Sequence, residues 1–348
     1  SIGTIGGYGE LHLELAMPEG GEREARVDLH RLVLFVAHHL SETMRFYTEL
    51  EVEHALLGEG LPGELGIEQA YVEWDWLGSA LRLRVGMLLI PMGIVNQWHE
   101  PPIFHGVERP RVDRIVIPST WREAGVGIIG EPSEGLRYEL YLTSGLDISG
   151  MSGASGLRGG RQSVAKAITN GPAIAARLEM EPALGLVFGA SAYLGWAGMN
   201  TAAIDGPGLI FGAAADARMR RRGLELRGLI AFFSIGDTDQ LRRVPPGATG
   251  VVSDVGSAIL GGYAELAYDV LFSLETEHAL LPFFRFEWYD TTLGEEDPSY
   301  DQPSGIDAVF GLSYRPAPQL VLKTDLIIRR PSEGAGSRHF ALGVGWMF

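Results

Sequence analysis

Apolar and polar residues alternate along most of this chain, in short segments separated by turn-forming residues. In the segment Gly9–Met17, for example, Leu11, Leu13 and Leu15 alternate with polar side chains. Because successive side chains of a β-strand point to opposite faces, each such segment predicts a strand with one apolar and one polar face. We count about sixteen of these segments, to within one or two. The chain therefore predicts an all-β fold.

The linkers between these segments tend to alternate in length. Longer and shorter linkers follow one another at residues 18–22, 41–42, 58–63, 78–79, 91–120 and 131–133. In a membrane-spanning barrel with an even number of strands, short turns gather at one end and long loops at the other. A soluble β-sandwich predicts no such alternation. We therefore predict one domain over residues 1–348, a closed transmembrane antiparallel β-barrel of about 16 strands.

The composition narrows the class of protein further. The chain has no Cys, which removes disulfides and thiolate metal sites. Its net charge of −16 argues against a nucleic-acid partner, and a charged fraction of 21% with 9% aromatic residues argues against disorder. The uncharged stretch Pro182–Ile204 is long enough for a transmembrane helix. Its glycines and its alternation predict strands instead.

The last nine residues of the sequence alternate between two kinds of side chain. Small residues separate five apolar or aromatic ones: Phe340, Leu342, Val344, Trp346 and Phe348. This stretch resembles the C-terminal strand of bacterial outer-membrane barrels. The resemblance implies that these five residues act as an assembly signal, read by the barrel-assembly machinery. It also implies that their face meets outer-membrane lipid.

Residues 86–130 resemble the phosphate-selective porins of the O and P type. That family has a strand reading roughly G-Q-F-K-x-P-F-G-x-E-N, then an E-R pair, then R-R-x-G-V. The matching stretches here are Gly86–Asn96 (GMLLIPMGIVN), Glu108-Arg109 and Arg122–Val126 (REAGV). The resemblance implies a sixteen-stranded, often trimeric porin of the bacterial outer membrane. It also implies that the third long loop folds into the lumen.

The chain departs from that family where phosphate selectivity is concerned. Met87 to Leu89 replaces the family's Q-x-K, and Arg122-Glu123 replaces its paired arginines. Phosphate-selective members use rings of Lys and Arg, whereas this chain is acidic. We therefore expect this chain to share the fold of that family but not its preference for phosphate.

The segment 91–120 is predicted to be a constriction loop whose charges set the size and charge preference of a pore. Its candidate residues are Trp98, His99, Glu100, His105, Glu108, Arg109, Arg111, Asp113 and Arg114. The alternative is an outer loop folded over the rim. His99 and His105 could ligate a metal, but we find no third ligand at a useful spacing. We expect them to be surface histidines and predict no metal site and no cofactor.

Charged residues recur on the faces predicted to point inward. The predicted pore-lining residues are Arg45, Glu49, Glu51, Glu53, Glu73, Asp75, Arg82, Arg84, Arg137, Glu139, Arg285 and Glu287. The inner wall of a water-filled barrel must be polar, and this requirement accounts for most of these residues. A sharper hypothesis is that Arg45, Arg82, Arg84 and Arg137 form a basic stripe facing acids elsewhere.

These features predict a porin for passive diffusion of small hydrophilic solutes or ions. Many inward bases have an acid two positions away, as in Arg137/Glu139, and such pairs cancel beyond about 10 Å at 0.1 M salt. The remaining acids of residues 49–53 and 73–75, with the acidic loop Glu295–Asp297, favour weak cation selectivity. A plugged barrel that anchors a partner complex, or an anion- or phosphate-selective porin, stays open as an alternative. No Ser–His pairing indicates an enzyme.

Overall fold

A computed structural model of the protein describes residues 3–58, 60, 62–202, 204–243, 255–293 and 304–348. The predicted loop Glu295–Asp297 lies outside these ranges. Sixteen strands form one closed antiparallel barrel in which each strand pairs with its neighbours in sequence and the first pairs with the last. The strands are β1 Gly3–Pro18, β2 Glu24–His39, β3 Met44–Glu53, β4 Glu64–Asp75, β5 Arg82–Leu89, β6 Arg122–Ser133, β7 Leu136–Ser144, β8 Pro172–Ala183, β9 Leu186–Trp196, β10 Leu209–Arg221, β11 Leu224–Ile235, β12 Ala258–Tyr268, β13 Ala279–Leu293, β14 Ser304–Ala317, β15 Leu320–Pro331 and β16 Ser337–Met347.

The predicted barrel and its sixteen strands are confirmed. Two-residue connections such as 134–135 and 222–223 lie at one end, the short-turn end, and 90–121 and 145–171 lie at the other, the long-loop end. The connection 269–278 is a long exception at the short-turn end. There β12 ends at Tyr268, and the Asp269 carboxylate accepts the backbone N–H groups of Leu271 (3.1 Å) and Leu280 (3.0 Å).

The stretch Pro182–Ile204 spans the end of β8, the strand β9 and the short 3₁₀ turn Ala197–Asn200. Across the described parts of the chain, no helix is long and apolar enough to cross a membrane. The positions of β8 and β9 confirm the prediction of strands in this stretch.

The outer face of the barrel is apolar. Val85, Phe284, Phe286 and Leu342 point outward and are more than a third exposed. Aromatic side chains gather on this face near the short-turn end, where the Trp74 and Trp76 rings lie 4.8 Å apart. An apolar band bordered by aromatic residues is the surface that a barrel presents to a bilayer.

Two β-bulges change which residues point inward. The register of β3 and β4 shifts where Glu49 and Leu50 lie opposite Gln69 and Ile67, which leaves Glu68 as the extra residue. A bulge adds one residue to one strand and so interrupts its alternation. Glu68 is fully buried inside the barrel, although alternation counted back from the inward residues Tyr71 and Glu73 would place it outside.

The second bulge lies between β1 and β2. The register shifts where Glu10 and Leu11 lie opposite Arg31 and Leu29, and His30 is the extra residue. Both His30 and Arg31 contact inward acids, His30 at Asp28 and Arg31 at Glu10. The bulge thus adds a histidine to the inner wall.

Residues 90–121, which we call the lumen loop, fold into the barrel and include the short helix α1, Val112–Ile115. Asn96 closes the base of this loop. Its side-chain amide donates to the carbonyl oxygens of Ile90 (2.6 Å) and Trp121 (3.1 Å), and its Oδ1 accepts the backbone N–H of Trp121 at 2.8 Å. Asn96 ends the first stretch that resembles the porin motif, so the motif coincides with the neck of the loop.

An apolar core fills part of the interior. Met92, Val116 and Trp121 of the lumen loop pack with inward residues of β8 to β13 and with apolar residues of the loop 145–171. The Trp121 ring lies 4.6 Å from the Tyr193 ring of β9. Burial of this apolar surface anchors these three residues of the lumen loop to the wall formed by β8 to β13.

Candidate functional site

The lumen loop crosses the barrel and packs against the inner face of β16. A Cβ added at Gly345 would lie 2.3 Å from Pro101 Cβ, and one added at Gly343 would lie 2.9 Å from Val107 Cγ1. The small residues that alternate with the aromatic ones on β16 therefore make room for the loop. The segment lies inside the barrel and not over the rim.

Backbone groups of the loop are held by side chains of the opposite wall. Lys323 of β15 donates to the Gly106 carbonyl at 2.8 Å, and the Asp325 carboxylate accepts the Val107 N–H at 2.7 Å. The Lys323 ammonium also lies 3.7 Å from the centre of the Phe104 ring. These contacts place the middle of the loop against β15.

The two histidines of the loop are buried, so the expectation of surface histidines was wrong. His99 Nε2 lies 3.0 Å from Glu68 Oε2. Burial lowers the pKa of His99, but the Glu68 carboxylate outweighs it and raises that pKa to about 9. His105 Nε2 lies 3.2 Å from Glu225 Oε2, and burial lowers the pKa of His105. Both histidines serve as contacts between loop and wall.

The second half of the loop carries most of its charge. Glu108 lies 3.3 Å from His12 Nδ1 and 3.4 Å from the Arg114 guanidinium. The Arg111 guanidinium lies 4.5 Å from the centre of the Tyr289 ring. Asp113 is fully buried, and burial raises its pKa to about 7.

The remaining candidates of the loop line cavities. Trp98 is 45% exposed beneath the Arg137 guanidinium, which lies 5.8 Å from the ring centre. Glu100 lies beside Trp98 in a cavity of about 250 Å³ towards the short-turn end. Arg109 lines a cavity of about 380 Å³ on the other side of the loop. Spaces with polar linings therefore lie on both sides of the lumen loop.

The hypothesis of a basic stripe that faces acids elsewhere is wrong, because the acids lie within the stripe. The guanidinium groups of Arg45, Arg82 and Arg84 converge on the carboxylate of Glu73, at 3.0, 3.3 and 2.7 Å. Arg137 pairs with Glu139 at 3.0 Å. Each base of the stripe therefore has an acid at contact distance, and Glu73 is the hub of the cluster.

The other predicted lining residues also point inward, and most are paired. Arg285 contacts Glu287 at 2.7 Å. Arg45 also contacts Asp75 at 2.8 Å. Glu49, Glu51 and Glu53 follow one another along the inner face of β3: the Gln69 amide donates to Glu49 at 2.5 Å, Glu51 lies 3.9 Å from Arg31, and Glu53 is half-buried near the long-loop end.

Several inward charges were not among the sequence candidates. They are Glu10, Arg31, Glu68, Asp216, Asp307 and Asp325. Asp325 could have been found, because it alternates with Lys323 on one face of β15. Glu68 could not, because only the bulge in β4 turns it inward.

The assembly candidates lie on the outer face of β16. Phe340, Val344 and Trp346 are half-buried, and Leu342 is exposed. Phe348 follows β16, and its backbone exchanges hydrogen bonds of 2.9 and 3.0 Å with Gly7 of β1. These residues therefore belong to the seam that closes the barrel.

The fold is that of bacterial outer-membrane porins. OmpF of Salmonella typhi, in a complex with daunomycin, aligns with a TM-score of 0.65 at 13% identity, covering 99% of this chain and 97% of that one. OprB of Pseudomonas putida gives 0.64 at 10% identity, covering 100% and 94%. An anion-selective porin from Comamonas acidovorans gives 0.61 at 13% identity, covering 100% and 99%. At such identities the likeness concerns the fold.

A sequence relative gives the family. The chain is 31% identical to an uncharacterized protein of Aquifex aeolicus, and the alignment covers 99% of this chain and 80% of that protein. The chain belongs to the same family as this Aquifex protein. No family model matches it, so the narrower resemblance to phosphate-selective porins is not confirmed.

Proposed function

We propose that the protein is an outer-membrane porin, a water-filled channel for passive diffusion of small hydrophilic solutes or ions. The observation that carries the proposal is the charged lumen loop, which crosses the barrel with polar cavities on both of its sides. In such a channel the loop 91–120 would be the constriction. The apolar outer face supports lipid as the surrounding medium.

The charge balance of the cavities supports weak selectivity. The 380 Å³ cavity is lined by five arginines and five acids: Arg109, Arg111, Arg114, Arg285, Arg329, Glu14, Glu108, Glu287, Asp307 and Asp325. Tight capture of phosphate needs several converging bases without competing carboxylates. With the lining balanced, we propose that the net charge of −16 tips the channel weakly towards cations.

Recordings in planar bilayers test this proposal. Purified barrel should give discrete, ohmic channel steps, and a KCl gradient should give a small reversal potential of the sign for cations. A strong anion preference, or block of the current by micromolar phosphate, would show that a basic site dominates. The matched control is the same preparation heated until the barrel unfolds, which should give no steps.

A second candidate is a plugged barrel that anchors a partner complex. It is favoured by the apolar core around Trp121 and by the nearly complete burial of paired charges such as Arg285 and Glu287, each 1% exposed. A plugged barrel gives no channel steps in the same experiment. Absence of conductance in a correctly folded preparation would therefore favour this candidate.

Two partners complete the proposal. Trimers occur among proteins of this fold, since OmpT of Vibrio cholerae is described in a trimer form. We propose a homotrimer here, which crosslinking in detergent would test.

We also propose that the outward residues Phe340 to Phe348 are read by the barrel-assembly machinery. Replacing Trp346 and Phe348 by Ser should then lower the amount of folded barrel in cells more than it lowers refolding in vitro.

A further inference from the structure

A row of histidines runs down the inner wall between the long loops and the lumen loop. His54 follows β3, His30 lies on β2 and His12 lies on β1. The His12 and His30 rings are stacked with centres 4.6 Å apart, and the His30 and His54 rings meet edge to face at 6.0 Å. The stacking brings ring nitrogens from β1 and β2 to the same part of the inner wall.

Two of these histidines and one carboxylate converge on a single point. His12 Nδ1 lies 3.3 Å and His30 Nε2 lies 3.8 Å from Glu108 Oε1. The three ligand atoms all lie within 4.8 Å of one another. In a tetrahedral Zn²⁺ site with bonds of about 2.0–2.1 Å, neighbouring ligand atoms are separated by roughly 3.4 Å. The cluster thus needs only small side-chain rotations to reach that geometry.

The other nitrogen of each imidazole already faces a carboxylate. His12 Nε2 lies 3.3 Å from Glu10, and His30 Nδ1 lies 3.4 Å from Asp28. Metal-binding histidines usually donate their second N–H to such a carboxylate, which fixes the ring and the tautomer. His12 Nδ1 is itself buried and has no well-aligned hydrogen-bond partner among the described residues. It points into the cluster.

The charges around the cluster also favour a cation. Glu10, Asp28 and Glu108 supply three carboxylates, while the guanidinium of Arg31 contacts Glu10 and that of Arg114 contacts only Glu108 Oε2. The other carboxylate oxygen, Glu108 Oε1, faces the two histidines. A second cluster of Glu49, Glu68 and His99 is less suited, because it holds one histidine and that histidine is already paired with Glu68.

We infer that His12, His30 and Glu108 form a binding site for a divalent transition-metal ion of the Zn²⁺ type, with Glu10 and Asp28 orienting the two imidazoles. Three protein ligands leave a fourth position for water. The half-exposed Asp28 and His54 give the ion a path from the long-loop end. Bound metal would tie the lumen loop to β1 and β2. The inference does not depend on conduction, so its failure would leave the proposed channel untouched.

Metal titration of the detergent-refolded barrel tests this site, with folding checked by heat-modifiable migration in a gel. We expect one saturable Zn²⁺ site per chain, and Co²⁺ in its place should give the intense visible absorption of a tetrahedral ion. His30→Gln and Glu108→Gln should each weaken Zn²⁺ binding by about tenfold or more, and Asp28→Asn by about 10- to 100-fold. His339→Gln is the matched control, since this histidine lines the same cavity as Glu108 and lies outside the cluster.

Three results would overturn the inference. The first is wild-type protein that folds and shows no saturable Zn²⁺ binding. The second is a folded His12→Gln/His30→Gln double variant with wild-type affinity. His12 is buried, so its substitution can prevent folding. His30 and Asp28 are half-exposed, and their single variants do not have this problem. The third result is unchanged Zn²⁺ affinity in both folded variants, His30→Gln and Asp28→Asn.

Discussion

His99 of the lumen loop and Glu68 of β4 form a buried ion pair, with His99 Nε2 3.0 Å from Glu68 Oε2. His99 is 2% exposed and Glu68 is 0% exposed. The other ring nitrogen, Nδ1, lies 3.2 Å from the Asn96 carbonyl oxygen, so the ring is held at both edges. The pair joins the first half of the lumen loop to the wall beside the neck that Asn96 closes.

Replacing His99 by Gln should loosen the loop in a pH-dependent way. The folded-state pKa of His99 is raised to about 9, so its stabilising effect is complete below its ordinary pKa and is lost as pH rises through about 9. Removing one partner of a buried pair costs on the order of 3–5 kcal/mol. His99→Gln should therefore unfold at a lower temperature than wild type at pH 7, and the two should converge above pH 9. A constant difference across this range would contradict the assignment. His39→Gln, at an exposed site, is the control.

Asp113→Asn should stabilise the protein, more at high pH than at low pH. Burial raises the pKa of Asp113 to about 7, so ionisation opposes folding and stability falls as pH rises from the unfolded-state value towards 7. An amide has the shape of the protonated acid and no such penalty. The gain in unfolding temperature should be small at pH 4, should grow up to about pH 7 and should stay constant above it. An equal gain at pH 4 and pH 8 would show that the carboxyl group does not titrate there.

Glu73→Gln should shift the ion preference of the channel towards anions. Arg45, Arg82 and Arg84 share this carboxylate, so its neutralisation leaves three guanidinium groups with less compensation. The reversal potential under a KCl gradient should move in the anion direction relative to wild type. Glu64→Gln removes the same charge from an exposed site on the same strand and should have a much smaller effect. Equal shifts in the two variants would mean that only net charge matters.

A disulfide can report the position of the lumen loop independently of function. Gly343 lies against Val107, with a 2.9 Å approach to Cγ1 from an added Cβ, and the chain contains no Cys. Val107→Cys combined with Gly343→Cys should oxidise to an intramolecular disulfide, because Cβ atoms about 3.5–4.5 Å apart suit that bond. Val107→Cys with Leu342→Cys should not, since Leu342 points outward on the same strand. Thiol counting with and without oxidant distinguishes the pairs, and crosslinking of both pairs alike would place the loop elsewhere.

Alternation along single strands predicted the strands and the inward direction of residues such as Glu73 and Arg285, and the alternating linker lengths predicted the barrel. Alternation was also sufficient to predict close acid–base pairs two positions apart, as in Arg285 and Glu287. Alternation could not show that Arg45, Arg82 and Arg84 share one acid, because that convergence depends on the pairing of β3, β4 and β5.

Features that depend on bulges or on long-range packing escaped prediction. Glu68 and His30 gain their positions from one-residue register shifts. The buried state of His99 and His105 follows from the path of the loop across the barrel, and no local pattern encodes that path. The nearest sequence indication was the small inner face of β16, where Gly343 and Gly345 now contact the loop.

Channel recording with a shortened lumen loop tests the central claim most directly. Replacing residues 98–118 by a short Gly-Ser linker removes the part of the loop that crosses the barrel and keeps Asn96 and Trp121 at its neck. If the loop is the constriction of a porin, wild type should conduct in discrete steps and the shortened barrel, folded by heat-modifiable migration, should conduct severalfold more per step. Wild-type barrel that never conducts, or a shortened barrel with unchanged step size, would contradict the account.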